Sequence, residues 1–284
     1  MNIVISSESS QDLSKELLEK NHISIIPFQL MVGDKIGKDG VDVFPKDIFE
    51  YYDTTQKLPH TSAINDVEYE TYFAHLLEKA DGIIHISLGS KISSSCSSAM
   101  RAAEKFDGRV KVIDSASLST GIGLLVLYAC ELRDKGLGLE EIYEKVNARV
   151  PYVQASFVLE KVNFLYKGGR CSALSYLGAN ILGIKPQIVL REGRCVSGKK
   201  FRGKFKEVVK KYVETTLEEF NNPDHHMIFI TYTTAEDEIV NWIEVTLKAK
   251  GFKNIYKTVA GGTITCHCGE HTLGILYFND GDHE

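Results

Sequence analysis

The chain has 284 residues, enough for one large or two ordinary domains, with 43% hydrophobic and 25% charged residues, the balance of a soluble globular protein. The net charge of −5 argues against nucleic acid as the main partner, because phosphate binding needs a basic surface. There is no run of about eighteen apolar residues and no charged, apolar and cleavage-site series at the start, so neither a transmembrane helix nor a signal peptide is expected. Six cysteines, at positions 96, 130, 171, 195, 266 and 268, are too scattered for a secreted disulfide framework and read as reduced thiols in a cytoplasmic protein.

In chain order, residues 2–6 read as a strand and 10–20 as an amphipathic helix carrying Leu13, Leu17 and Leu18 on one side. A mostly apolar run follows at 23–31, then a short helix entered at Pro45 and a longer one over 65–80. Residues 82–87 and 110–114 are short apolar strands, and 119–135 and 139–149 are helices. Short apolar strands alternating with helices imply a parallel α/β sheet. Beyond residue 150 the pattern changes. Strands are expected at 155–158, 185–190, 194–197, 226–232, 254–259 and 274–278, with helices at 205–220 and 237–250. The expectation is an N-terminal parallel α/β domain over 1–150 and a C-terminal α+β domain over 151–284.

The segment 87–99, rich in serine, lies between an apolar strand and a helix start. Ser93, Ser94 and Ser95 there can donate to one carboxylate or phosphate, or can simply cap the helix. No lysine of P-loop type is in place, so ATP binding is not expected. Thr61 and Ser62 precede the 65–80 helix, and capping is favoured for Ser62 while Thr61 stays open. Asp114 and Ser115 end a strand, where open α/β sheets bind ligands, or they form an Asx turn. In Gly168-Gly169-Arg170 the glycines permit a tight turn that aims Arg170 at an anion, or leaves it solvated. The Cys266-His267-Cys268 run suggests zinc, but Cys-x-Cys lacks the usual gap, and on a strand His267 would face away from both thiols, so no metal is expected. His267 is then read as a neutral hydrogen-bond partner or a packed histidine.

Taken together, these clusters resemble the DegV family, two-domain bacterial lipid-binding proteins that include the FakB-type subunits of fatty acid kinase. The resemblance runs nearly the whole chain, through residues 7–13, His60-Thr61-Ser62, 87–99, 112–123, Gly168-Gly169-Arg170-Cys171-Ser172, Leu182-Gly183-Ile184-Lys185-Pro186 and the His267 segment. It implies a long-chain fatty acid in an apolar tunnel between the two domains, no cofactor, and an ATP-dependent kinase subunit of FakA type as partner, with transient membrane contact. Thr61 and Ser93 resemble the hydroxyls that hold the carboxylate, His267 the histidine beside it, Arg170 the arginine of the Gly-Gly-Arg turn, and Arg202 a surface arginine facing the kinase. The chain departs from the family pattern in three places. Glu8 replaces the first Asp of a Thr-Asp-Ser motif, Ser93-Ser94-Ser95 replaces Ser-Gly-Thr, and His267-Cys268-Gly269-Glu270-His271 lacks the Pro and Gly of His-x-Gly-Pro-Gly.

The expected mechanism is a carrier that hides the chain from water and presents the carboxylate for phosphorylation to acyl phosphate, with Arg202 and the lysines of 199–211 as docking strip or solvated helix face. The alternative is a stand-alone hydrolase or transferase on an acyl or phosphoryl substrate, using serine donors, His267 and Asp114. A DNA-binding regulator is disfavoured by the charge and by the lack of a helix-turn-helix signal.

Overall fold

The computed structural model describes residues 1–171 and 183–283. Its strands are β1 (Ile3–Glu8), β2 (Ser24–Ile26), β3 (Gln29–Val32), β4 (Lys35–Lys38), β5 (His60–Ser62), β6 (Gly82–Ser87), β7 (Val110–Asp114), β8 (Val153–Leu159), β9 (Ile184–Arg191), β10 (Arg194–Arg202), β11 (Met227–Tyr232), β12 (Asn254–Val259) and β13 (Thr272–Phe278). Its helices are α1 (Lys15–Lys20), α2 (Pro45–Thr55), α3 (Asp66–Leu77), α4 (Ser95–Ala103), α5 (Thr120–Asp134), α6 (Leu139–Arg149), α7 (Asn163–Lys167), α8 (Phe205–Glu219), α9 (Asp237–Ala249) and α10 (Gly262–Cys268).

Three sheets carry the architecture. The apolar strands of the first half make an all-parallel sheet in the order β2-β1-β6-β7. The second half forms a six-stranded sheet, β10-β9-β8-β13-β11-β12, antiparallel except for the β11–β12 pair. A small antiparallel sheet, β4-β3-β5, places Thr61 opposite Leu30. The fold is therefore mixed α/β, with a parallel sheet and two further sheets.

Helix α5 joins the two large sheets. Its residues 120–127 are buried without a break, and it packs on β1 and β6 on one side and on β8, β11 and β13 on the other. A helix apolar all round belongs in a core. Gly123 makes the close approach possible, since a Cβ there would meet Leu13 Cδ2 at 2.8 Å and the Gln11 carbonyl at 3.1 Å. One hydrophobic core accordingly runs from Ile5 and Ile84 through Leu125 to Phe157 and Phe229. A second core lies under α8 and α9 on the far face of the six-stranded sheet.

Four local expectations are corrected. The 10–20 helix breaks into a 3-10 turn, Ser9–Gln11, and α1, because Asp12 adopts a left-handed conformation (φ 53°) and Ser14 caps α1 through Leu17 N–H. The 23–31 run is two strands in different sheets, β2 and β3, with Pro27 between them. Ser62 does not cap α3. Asn65 does so, in a capping box in which its Oδ1 accepts from Glu68 N–H and the Glu68 carboxylate accepts from Asn65 N–H. Residues 262–268 are a helix, so the strand alternation assumed around His267 does not hold.

The parallel sheet also encloses a charged residue. Glu8 is fully buried and accepts from Ser87 Oγ (2.5 Å), Tyr69 Oη (2.6 Å) and Leu88 N–H (2.9 Å), with His85 Nε2 at 3.2 Å. Burial opposes its charge, but the facing His85 and then the bonds from His85, Ser87 and Tyr69 hold its carboxyl below the usual carboxylate range. Removing one partner from such a site leaves an uncompensated buried charge.

Two aspartates tie the halves together. Asp12 Oδ2 accepts from Ser119 Oγ (2.5 Å) and its Oδ1 from Gly261 N–H (2.8 Å). Asp39 accepts from Gly262 N–H (2.8 Å), Thr263 N–H (3.0 Å), Thr263 Oγ1 (2.6 Å) and Ser9 Oγ (2.9 Å). Burial pushes the Asp12 carboxyl up to about 7, against the bonds from Ser119 and Gly261. A carboxyl raised in the folded state binds its proton there when the unfolded chain has already lost it, so Asp12 makes the fold less stable as pH rises from about 4 to about 7. Asp12→Asn removes that contribution. Urea unfolding at pH 5 and pH 8 is expected to show a smaller loss of stability toward pH 8 in Asp12→Asn than in the wild type.

Candidate functional site

A cavity of about 150 Å³ lies between the parallel and six-stranded sheets, bounded by residues from both halves of the chain. Its polar side groups come from four separate places. Thr61 arrives on β5, Ser93 and Ser94 on the loop after β6, Arg170 on the turn after α7, and His267 in the last turn of α10. Its apolar wall includes Phe28, Leu88, Leu118, Phe157 and Leu165.

Each polar group is held by its local structure. Gly89 sets the serine loop: its N–H donates to Ser117 O (3.0 Å), and a Cβ would sit 3.1–3.2 Å from the backbone of 116–117. The loop then turns tightly, with Ile92 and Ser93 N–H both donating to Gly89 O. Ser93 Oγ donates to Ser95 Oγ (3.1 Å) and accepts from Ser95 N–H (3.2 Å). Ser95 in turn accepts from Ile64 N–H (3.1 Å), which links the serine loop to the segment after Thr61.

His267 is aimed by α10, whose first turn is fixed by Asp39. Its Nε2 shares a 3.1 Å hydrogen bond with Thr61 Oγ1. Its Nδ1 is enclosed and has no hydrogen-bond partner among the described residues. Gly168 makes room for the ring, since a Cβ there would stand 2.9 Å from Nδ1. Burial, then the charge of Arg170, then His60, lower the His267 pKa to about 4. The imidazole is therefore neutral at pH 7. Gly169 takes the left-handed conformation (φ 71°), and the exposed Arg170 turns back so that Nη1 donates to Gly168 O (2.7 Å). This puts a guanidinium at the cavity rim without an ion pair among the described residues.

The structure does not bring five of the other sequence candidates to the cavity. Ser62 is exposed on the outer face of β5. Ser95 supports Ser93 from behind. Asp114 Oδ1 accepts from Ser90 N–H (3.0 Å) and Ala116 N–H (2.9 Å), and Ser115 Oγ bonds the backbone of Ser117, so both close a turn. Arg202 is exposed at the end of β10, away from the cavity. Near it, Lys199 and Lys210 pair with Glu219 (3.8 Å) and Glu207 (3.3 Å). Ser172 and Leu182, part of the family resemblance, fall outside the described residues. Among the described residues, no three or more His, Cys, Asp or Glu side chains group to hold a metal ion. No described helix is long and apolar enough to cross a membrane.

Sequence reading missed Asp39, which looks like an ordinary Asp-Gly turn, and Phe157, which looks like any inward-facing strand residue. Nothing in their local sequence marks either one, because their roles depend on α10 and on the second sheet.

A family model described as "Uncharacterised protein, DegV family" matches residues 2–280. The chain belongs to the DegV family. A DegV domain-containing protein of Caldanaerobacter subterraneus is 29% identical over 97% of this chain and 98% of its own length. Among solved structures, a DegV family protein of Thermus thermophilus superposes with a TM-score of 0.90 at 24% identity, over 98% of this chain and 99% of that one. DegV of Bacillus subtilis, a fatty acid binding protein, superposes with a TM-score of 0.84 at 28% identity, over 98% and 99% of the two chains.

Neutrality of His267 has a measurable consequence. Its NMR titration is expected to have a midpoint near pH 4, and Arg170→Ala is expected to move that midpoint upward by removing a nearby positive charge.

Proposed function

We propose that this DegV chain binds one long-chain fatty acid, with the carboxylate at Thr61, Ser93 and His267 and the acyl chain in the apolar interior. The observation that carries the reading is the polarity of the cavity. The hydroxyls of Thr61 and Ser93 and the His267 imidazole, with Arg170 at the rim, share the lining with apolar Phe28, Leu118, Phe157 and Leu165. Such a site suits an amphiphile with one small anionic head, since each buried methylene contributes about 0.8 kcal/mol. The fatty-acid-binding activity of the Bacillus subtilis relative supports the same ligand class.

The polar end favours holding the carboxylate over neutralising it. Thr61 can donate its hydroxyl proton, Ser93 can do so by turning its proton away from Ser95 Oγ, neutral His267 can donate or accept, and Arg170 adds positive potential at the rim. A carboxylate held by hydrogen bonds stays available to a second protein. We propose further that the chain works in the cytoplasm as a presenting subunit, its bound carboxylate phosphorylated to acyl phosphate by an ATP-dependent kinase that docks at Arg202. The exposure of Arg202 supports this, as does the absence from the sequence of a P-loop lysine. The hydrolase or transferase alternative draws no support from Asp114, whose carboxylate is engaged in its own turn.

Native mass spectrometry with lipid extraction is expected to find one fatty acid per chain. A hydrogen bond to a charged group contributes about 1.5–3 kcal/mol, so Thr61→Ala and Ser93→Ala should each weaken fatty acid binding about tenfold or more. A chain that neither carries nor takes up fatty acid sinks the reading. Arg202→Glu should leave fatty acid affinity unchanged and slow acyl phosphate formation with a FakA-type kinase, and an unchanged rate removes the docking role.

A further inference from the structure

A second, smaller cavity of about 30 Å³ adjoins the first against the six-stranded sheet. Four residues border both spaces: Leu118, Phe157, Ile264 and Cys268. Phe157, on β8, is the largest of them and is buried. Its cross-strand partner on β13 is Gly274, and the missing side chain there leaves the second space open beside the ring. A Cβ at 274 would meet Ser156 O at 2.5 Å and Phe157 Cβ at 3.1 Å, so glycine is required for Phe157 to sit where it does.

The composition of the second chamber is unusual for an acyl site, because Ser119, Thr231, Thr233 and Thr272 all border it. Every one of these hydroxyls is engaged elsewhere. Ser119 Oγ donates to Asp12, and Thr231 Oγ1 bonds both Thr120 and Thr258. Thr233 Oγ1 accepts from Thr272 N–H, and Thr272 Oγ1 donates to Cys268 O. The chamber surface that remains is almost wholly carbon. A polar group placed there would exchange water for a wall that offers little hydrogen-bonding surface.

We propose that this second chamber receives the methyl end of the acyl chain and that Phe157 sets the chain length and the end-group the protein accepts. The proposal rests on the fatty acid reading of the first cavity. With the carboxylate at Thr61 and Ser93, a short chain ends before Phe157, whereas a longer one passes the ring and is clasped between Leu118, Ile264 and Cys268. Chains that reach the second chamber must end in an unmodified hydrocarbon. An ω-hydroxy acid or an α,ω-dicarboxylic acid of the same length is disfavoured, since its far end would lie against a surface that is almost wholly carbon.

The test measures dissociation constants for saturated acids of graded length, with the matched ω-hydroxy and dicarboxylic acids, on three proteins of verified thermal stability. In the wild type, affinity should rise about fourfold per methylene as the chain fills the two chambers, then stop rising. Phe157→Leu should shift that break to longer chains. Ala260→Val, which narrows the second chamber from its opposite wall, should shift it to shorter ones. At the optimal length the ω-hydroxy acid should bind at least tenfold more weakly than its parent. A break that stays in place in both variants, or an ω-hydroxy acid that binds as well as its parent, overturns the role of Phe157 and the second chamber while leaving fatty acid binding intact. Failure of the wild type to bind any fatty acid overturns both readings.

Discussion

The attachment of α10 to two carboxylates from the first forty residues is the constraint on which the rest of the structure depends. Gly261, Gly262 and Thr263 present backbone N–H groups at a helix start, and Asp12 and Asp39 accept them. Free donors at a helix N-terminus favour negative charge, and here the protein supplies that charge itself. The consequence is positional. α10 is only seven residues long, so fixing its first turn also fixes His267 in its last. The same bonds bring the six-stranded sheet against the N-terminal half and so define the space between them.

Within that space charge is kept to the edge. Arg170 is exposed at the rim, while the groups further in are Thr61, Ser93 and an imidazole that burial keeps neutral. The buried carboxylate of Glu8 lies in the parallel sheet and does not border the cavity. Glu8 is fully satisfied by Ser87, Tyr69 and Leu88 N–H, so it behaves as a structural knot at the carboxyl end of β1.

Helix α5 has a comparable role on the apolar side. Because it packs on strands of both large sheets, a single hydrophobic core crosses the chain and the cavity becomes a gap in that core. Close packing everywhere else makes such a gap specific, since its shape is set by individual side chains such as Phe157 and Leu118. The hydroxyl residues next to it contribute mostly carbon surface, their hydroxyls bonding Asp12, Thr120, Thr258 and backbone groups of Cys268 and Thr272.

The sequence by itself determined the elements whose signals are local. β6, β7, α6 and β12 occupy the residues that apolar runs and 3.6-residue periodicity indicate, and the alternation of strands and helices specified a parallel sheet before residue 115. The hydroxyl-rich loop, the Gly-Gly-Arg turn and the helix-start serines were legible as candidates because their residue types have few other uses. Tertiary structure alone decided which candidates meet. Thr61 and His267 are 206 positions apart and share a hydrogen bond, whereas Asp114 and Ser115 turn inward to their own loop. Tertiary structure also overrode local preference at Asp12, whose left-handed backbone breaks the expected first helix and whose carboxylate bonds Gly261 from the other half. It made a helix of 262–268, where the weighing of the cysteines assumed a strand, because Asp39 caps it from a distant loop. Periodicity reports which face of an element is apolar, but a site whose polar groups come from four segments depends on long-range contacts that no window of sequence contains.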